Sequence, residues 1–166
     1  MPTLPRTALH GLSWPVKQSF ARYTAASPGG GIDLGHGASV VPGWDLVFAP
    51  ATARFDAASG DGEIGFAGSV RYTGHFGALE VTVRDPLLRL TAGTGVLEIG
   101  EPDARLILAT VSCAYSVGDD GASVWESLTC TLTASGIAFL GGVYEQGTPL
   151  DPFSARLAPG GSAVGS

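Results

Sequence analysis

The chain has 166 residues, 45% of them hydrophobic and 14% charged, with a mean hydropathy of +0.26. This balance excludes a disordered polymer and suits one domain with a sizeable core. The net charge is −6, and the nine Lys and Arg form no basic run, which excludes a nucleic-acid or anionic-lipid surface.

Residues Met1 to His10 contain no apolar central region, so no signal peptide is expected there. No stretch reaches the length of a membrane span. The first predicted element is a helix. Ser13 is its expected cap, Pro15 falls in its first turn, and Val16, Phe20 and Tyr23 form an apolar stripe. It is expected to stop before Ser27-Pro28-Gly29-Gly30-Gly31.

Beyond this helix the period changes to two. Ile64, Phe66, Val70 and Tyr72 share a face, as do Leu79, Val81 and Val83. Ile107, Ala109, Val111, Cys113, Tyr115 and Val117 line one face of a long strand. Val124, Leu128, Cys130 and Leu132 line another. Further strands are expected over Trp44–Phe48, Leu87–Leu90, Val96–Ile99 and Gly136–Leu140. The breaks between them are turn chemistry, such as Asp85-Pro86 and Asp119-Asp120-Gly121. With 25 Gly and 11 Pro and no collagen period, the expected fold is all-β, a mainly antiparallel sandwich or barrel with a short N-terminal helix. The single domain spans 12–158, between an N-terminal extension over 1–11 and a flexible tail over 159–166. Cys113 and Cys130 flank the Asp119–Gly121 turn. A bridge would fit their placement, but two buried free thiols explain the same facts. Trp14, Trp44 and Trp125 read as packing residues, His10 and His36 as surface residues.

Chemical motifs are sparse. The three His are widely separated, with no His-x-His or Cys-x-x-Cys, so a zinc site is not expected. No Gly-x-Ser-x-Gly elbow or Cys–His signature supports a hydrolase. The Gly runs lack the strand–Gly–helix context that phosphate binding needs.

Three blocks carry a family resemblance. They are Leu12-Ser13-Trp14-Pro15-Val16-Lys17-Gln18-Ser19-Phe20-Ala21-Arg22-Tyr23, then Phe66 to Leu79 around Gly68-Ser69-Val70-Arg71-Tyr72-Thr73-Gly74-His75, and Phe139-Leu140-Gly141-Gly142-Val143-Tyr144 followed by Gly147-Thr148-Pro149-Leu150-Asp151-Pro152. From about Leu12 to Leu157 the chain resembles the HtaA domain of actinobacterial haem-uptake proteins. The resemblance implies a mostly β module that binds one ferric b-type haem. It implies Tyr23 as axial iron ligand, His75 as hydrogen-bond partner of the tyrosine oxygen, and Ser19 as a propionate contact. Phe139 and Tyr144 are implied to line the pocket. It further implies a secreted or cell-surface location, with haemoproteins or other haem-uptake proteins as donor and acceptor. The family usually carries an export signal and often a C-terminal anchor; neither is legible here.

Elementary chemistry agrees with that implication. Tyrosine is an established haem ligand, and ferric iron stabilises the phenolate that water alone does not at neutral pH. A donor on the phenolate oxygen helps further and weakens the oxygen's push on iron. Ser19 and Tyr23 are four apart, on one side of a helix. Read alone, Tyr23 continues an apolar stripe and reads as a core residue rather than a ligand. The resemblance implies no turnover of haem, hence no enzyme. The competing readings are an adhesion or carbohydrate-binding module without cofactor, and a peroxide-consuming haem enzyme, which lacks a distal acid–base group besides His75.

Overall fold

Strand alternation governs most of the chain. In the computed structural model, which describes residues 10–35, 37–41, 45–101, 103–142 and 144–159, the strands are β1 (Gly11–Ser13), β2 (Gly31–Gly35), β3 (Ala38–Val41), β4 (Asp45–Phe55), β5 (Gly62–Ala67), β6 (Ser69–Gly74), β7 (Leu79–Arg84), β8 (Leu87–Thr91), β9 (Thr94–Glu101), β10 (Ala104–Val117), β11 (Ser123–Leu132) and β12 (Ser154–Leu157). Two helices accompany them, α1 (Gln18–Ala26) and α2 (Ala134–Phe139). His36, Trp44 and Val143, most of the expected N-terminal extension and nearly all of the expected tail lie outside the described residues.

Eight strands close on themselves in the order β1-β12-β11-β10-β9-β8-β5-β4, and β4 pairs back to β1 through Leu12↔Phe48 and Ser13↔Val47. The fold is therefore all-β and barrel-like, as the composition predicts. β3 pairs with the first half of β4, and β2-β6-β7 form a separate three-stranded antiparallel sheet. The barrel core holds Trp14, Phe48, Phe66, Trp125 and Phe153, and the small sheet contributes Val70, Tyr72, Val81 and Val83. Trp14 and Trp125 are packing residues with satisfied indole N–H groups, which donate to the carbonyls of Asp151 and Gly60, each at 2.9 Å.

The single alternating run expected from Ile64 to Thr73 breaks at Gly68. There the chain leaves the barrel for the small sheet. Gly68 has φ 147°, and a Cβ would press on Ala38 at 2.8 Å. Asp85 closes this corner: its carboxylate accepts from Gly68 N–H at 3.1 Å and its own N–H donates to the Gly68 carbonyl at 2.8 Å.

Three expectations are corrected. Gly136–Leu140 is not a strand; those residues lie in α2 and its C-cap, where Thr133 Oγ1 caps by accepting from Gly136 N–H. The faces of the long hairpin are also not continuous. A bulge between Ile107 and Ala109 turns Ile107 outward, 44% exposed, and another beside Cys113 turns out Leu128, 68% exposed. Val117, at the hairpin end, is exposed as well. Finally, Ser13 does not cap a helix. It belongs to β1, because pairing with β4 and β12 claims Gly11–Ser13. Cys113 and Cys130 are free thiols. They are not direct partners, since Cys113 faces Ser127 and Cys130 faces Val111. Among the described residues no helix is long and apolar enough to cross a membrane.

Candidate functional site

Helix α1 starts one turn later than the sequence suggests. Lys17 stands at its N-cap with no side-chain cap of its own. The cap comes from 133 residues away: the Asp151 carboxylate accepts from Gln18 N–H at 2.7 Å. The same segment grips the approach to the helix, because Asp151 N–H donates to the Val16 carbonyl at 3.1 Å. Val16 is left at φ 63°, a costly conformation for a β-branched residue that these contacts hold in place.

The buried stripe of α1 runs through Phe20 and Thr24, with Val16 buried just ahead of the helix. Tyr23 lies beside it, not on it, and is 45% exposed. This removes the core reading of Tyr23. The Thr24 hydroxyl satisfies itself on the Ala21 carbonyl at 3.1 Å, so a polar residue is tolerated under the helix.

Tyr23 Oη lies 3.2 Å from His75 Nε2, with the rings 5.8 Å apart at 61°. His75 opens a one-turn 3-10 segment, His75–Gly77, between β6 and β7. His75 and Phe76 both have left-handed backbones, φ 50° and 54°. For non-glycine residues this strain needs support, and it is a recognised mark of functional loops. The support comes from the end of α1. Ser27 Oγ donates to the Thr24 carbonyl at 2.7 Å and accepts from His75 N–H at 3.3 Å, while Phe76 N–H donates to the Pro28 carbonyl at 2.9 Å. A Cβ on Gly74 would overlap Ser27 Oγ, so glycine is required there for this close approach. The turn leaves Phe76 84% exposed.

Along the helix from this pair, Ser19 Oγ and Tyr144 Oη are hydrogen-bonded at 3.0 Å. Phe20 lies between, with ring centroids 6.4 Å from Tyr23 and 6.3 Å from Tyr144. Four of the five predicted site residues thus belong to one surface: Ser19, Tyr23 and Tyr144, with His75 at its far end. The fifth, Phe139, is the last residue of α2. It is half-buried against the core and makes no ring contact with Tyr23 or Phe20 among the described residues. Ser27 and Asp151, which hold the arrangement, carry no sequence signal for this: Ser27 reads as part of a helix breaker, and the reach of Asp151 to Gln18 needs the folded chain.

Cavities among the described residues lie elsewhere. One of about 420 Å³ is lined by Thr52, Phe66, Pro86, Arg89 and Arg105 on the barrel wall. Another, about 330 Å³, lies on the opposite flank of α1 against Gln18, Arg22, Ile32 and Tyr72. Neither is lined by Tyr23 or His75, both of which are exposed. Among the described residues no group of three or more His, Cys, Asp or Glu is arranged to hold a bare metal ion. The donor set is one outward phenol, one imidazole and flanking aromatic faces.

The HtaA family model (Htaa) matches residues 10–156. This chain belongs to the HtaA family. Its structure is similar to the C-terminal HtaA domain of Corynebacterium glutamicum, with a TM-score of 0.72 and 27% identity over 89% of this chain and 95% of that one. The N-terminal HtaA domain of the same organism is similar to the same degree, with a TM-score of 0.72 and 28% identity over 89% and 95% of the two chains. The heme binding protein HtaB from C. glutamicum has the same fold, with a TM-score of 0.69 at 18% identity over 89% and 91% of the two chains. No curated protein matches the chain. The HtaA match takes in all five predicted site residues and ends just short of the expected domain end.

Proposed function

We propose that this HtaA domain binds one ferric b-type haem on the open surface of α1, with Tyr23 as axial ligand, for haem capture and transfer at the cell surface or outside it. The observation that carries this reading is the outward Tyr23 phenol held 3.2 Å from His75 Nε2. Family membership and the heme binding named for HtaB support it. A porphyrin supplies four of the iron's ligands, so one protein donor suffices, which suits a surface without a cluster of metal-binding side chains.

Ferric haem supplies a Lewis-acidic iron that favours an anionic oxygen ligand. The chain's task is to present that oxygen as phenolate. His75 Nε2, 3.2 Å from the Tyr23 oxygen, would donate its N–H to that oxygen as a phenolate. The hydrogen bond draws charge from the oxygen and keeps the ligand moderate, which suits a protein that must release its cargo. Tyr144 and the exposed Phe76 offer aromatic faces, with the buried Phe20 behind them. Ser19, bonded to Tyr144, is the proposed propionate contact, and Phe139 the more distant wall.

The test is a hemin titration followed by visible absorption. Tyr23→Ala is expected to abolish specific binding. His75→Ala is expected to shift the charge-transfer band and to weaken binding about ten- to a hundredfold, the usual scale for a partner of a ligand. Unchanged affinity in Tyr23→Ala would remove the ligand assignment.

A further inference from the structure

The described basic side chains fall into two groups. Arg71, Arg84, Arg89, Arg105 and Arg156 each pair with carboxylates. Lys17, Arg22 and Arg54 make no ion pair among the described residues. In a chain of net charge −6, unpaired positive charge is scarce, and two of these three residues belong to α1 or its cap. Arg22 turns to the opposite flank, where it lines the smaller cavity and reaches the Gln18 amide at 3.5 Å. Arg54 stands on the barrel wall in β4, across from Glu63. Among the described residues, Lys17 therefore supplies the free cation on the Tyr144 side of the site.

Its position is defined. Lys17 Nζ lies 5.5 Å from the centre of the Tyr144 ring and donates to the Pro149 carbonyl at 2.9 Å. An ammonium has three donors, so two remain. The Ser19–Tyr144 hydroxyl pair shares one hydrogen between its oxygens, which leaves the second free to donate outward. An unpaired ammonium and a spare hydroxyl hydrogen, next to each other on a surface with aromatic faces, form a receptor for a carboxylate attached to a flat apolar body.

We propose that Lys17 is the carboxylate-binding cation of this site, and that it makes the domain prefer porphyrins with free propionates over their esters. The proposal rests on the haem reading above and adds to it a residue that fixes the orientation of the cargo and selects among porphyrins. Its roles at Pro149 and Tyr144 alone would make Lys17 a brace, which the choice of ligand distinguishes.

The experiment compares hemin with hemin dimethyl ester on the whole chain, for wild type, Lys17→Met and Lys17→Arg, with far-UV circular dichroism to verify folding. Lys17→Met is expected to weaken hemin binding about three- to tenfold, the scale of one partly exposed charge-assisted contact. It should leave the ester affinity unchanged, and Lys17→Arg should retain most of the hemin affinity. Added salt should weaken hemin more than ester in wild type. Equal losses for both ligands, or no loss for hemin, would overturn the role of Lys17 while leaving haem binding intact. A wild type that binds neither ligand would overturn both. Should Lys17→Met fail to fold, the wild-type salt series decides: equal salt dependence for hemin and ester overturns the proposal.

Discussion

Two tyrosines contact Phe20 and meet opposite environments. Tyr72 packs edge-on against Phe20 with centroids 5.3 Å apart, is almost wholly buried, and its hydroxyl has no hydrogen-bond partner among the described residues. Burial pushes its ionisation well above the ordinary phenol range, so Tyr72 stays a neutral phenol. Tyr23, tilted against the same ring, has its oxygen at the surface beside His75. Only the second can offer an oxygen to a bound metal centre without rearranging the core. An unpaired buried hydroxyl costs about 1–3 kcal/mol. Tyr72→Phe is therefore expected to raise the thermal midpoint, or at least not lower it, in a calorimetric scan; a clear drop would show that the hydroxyl is satisfied in solution.

At the scale of elements, α1 is held by groups far away in sequence. Asp151 caps its start and Ser27 ties its end to the His75 turn. Asp151→Ala removes the cap, and losses of this kind are about 1 kcal/mol. Urea unfolding should show that loss, and hemin titration should show weaker binding, because the helix carries Tyr23. An unchanged affinity would mean that α1 keeps its place without the cap. The β10–β11 hairpin makes a different prediction. Burial pushes the Cys113 and Cys130 thiols each up to about 12. A raised value lowers the thiolate fraction at neutral pH, and the thiolate is the reactive form. Both are therefore expected to resist a thiol reagent in the native state and to react on unfolding. Fast labelling of either thiol in the folded protein would contradict that burial.

For the molecule as a whole, barrel closure depends on the ends of the chain. β1 pairs with both β12 and β4, and β12 also pairs with β11. Removing Ser154–Leu157 leaves unpaired strand edges on β1 and β11 and strips the core of Ala155 and Leu157. Loss of cooperative thermal unfolding is expected, read by near-UV circular dichroism; a sharp transition in the truncated chain would show that the barrel closes without β12. The same strands anchor the site, since Asp151 and Phe153 lead directly into β12.

Much of this was readable in the residues themselves. Period-two alternation and the turn dipeptides identified an all-β chain, because side-chain direction in a strand depends only on position along it. Phe20 and Tyr23 belonged to a helix, and the block around Gly74-His75 marked a family. The start of α1, the outward turns of Ile107 and Leu128, and the helical state of α2 were not readable. Each depends on a partner strand, a bulge or a cap formed only when distant segments meet. Whether Tyr23 faces core or solvent belongs to the same class. Helical periodicity places it within one residue of Thr24, and only the packing of α1 on Tyr72 decides which of the two is buried. Residue types and their spacing thus determined the architecture, while the family resemblance singled out Tyr23 and His75. The tertiary contacts through Asp151, Ser27 and the strained His75–Phe76 turn decided that the two side chains meet, because no local interaction brings together residues 52 positions apart.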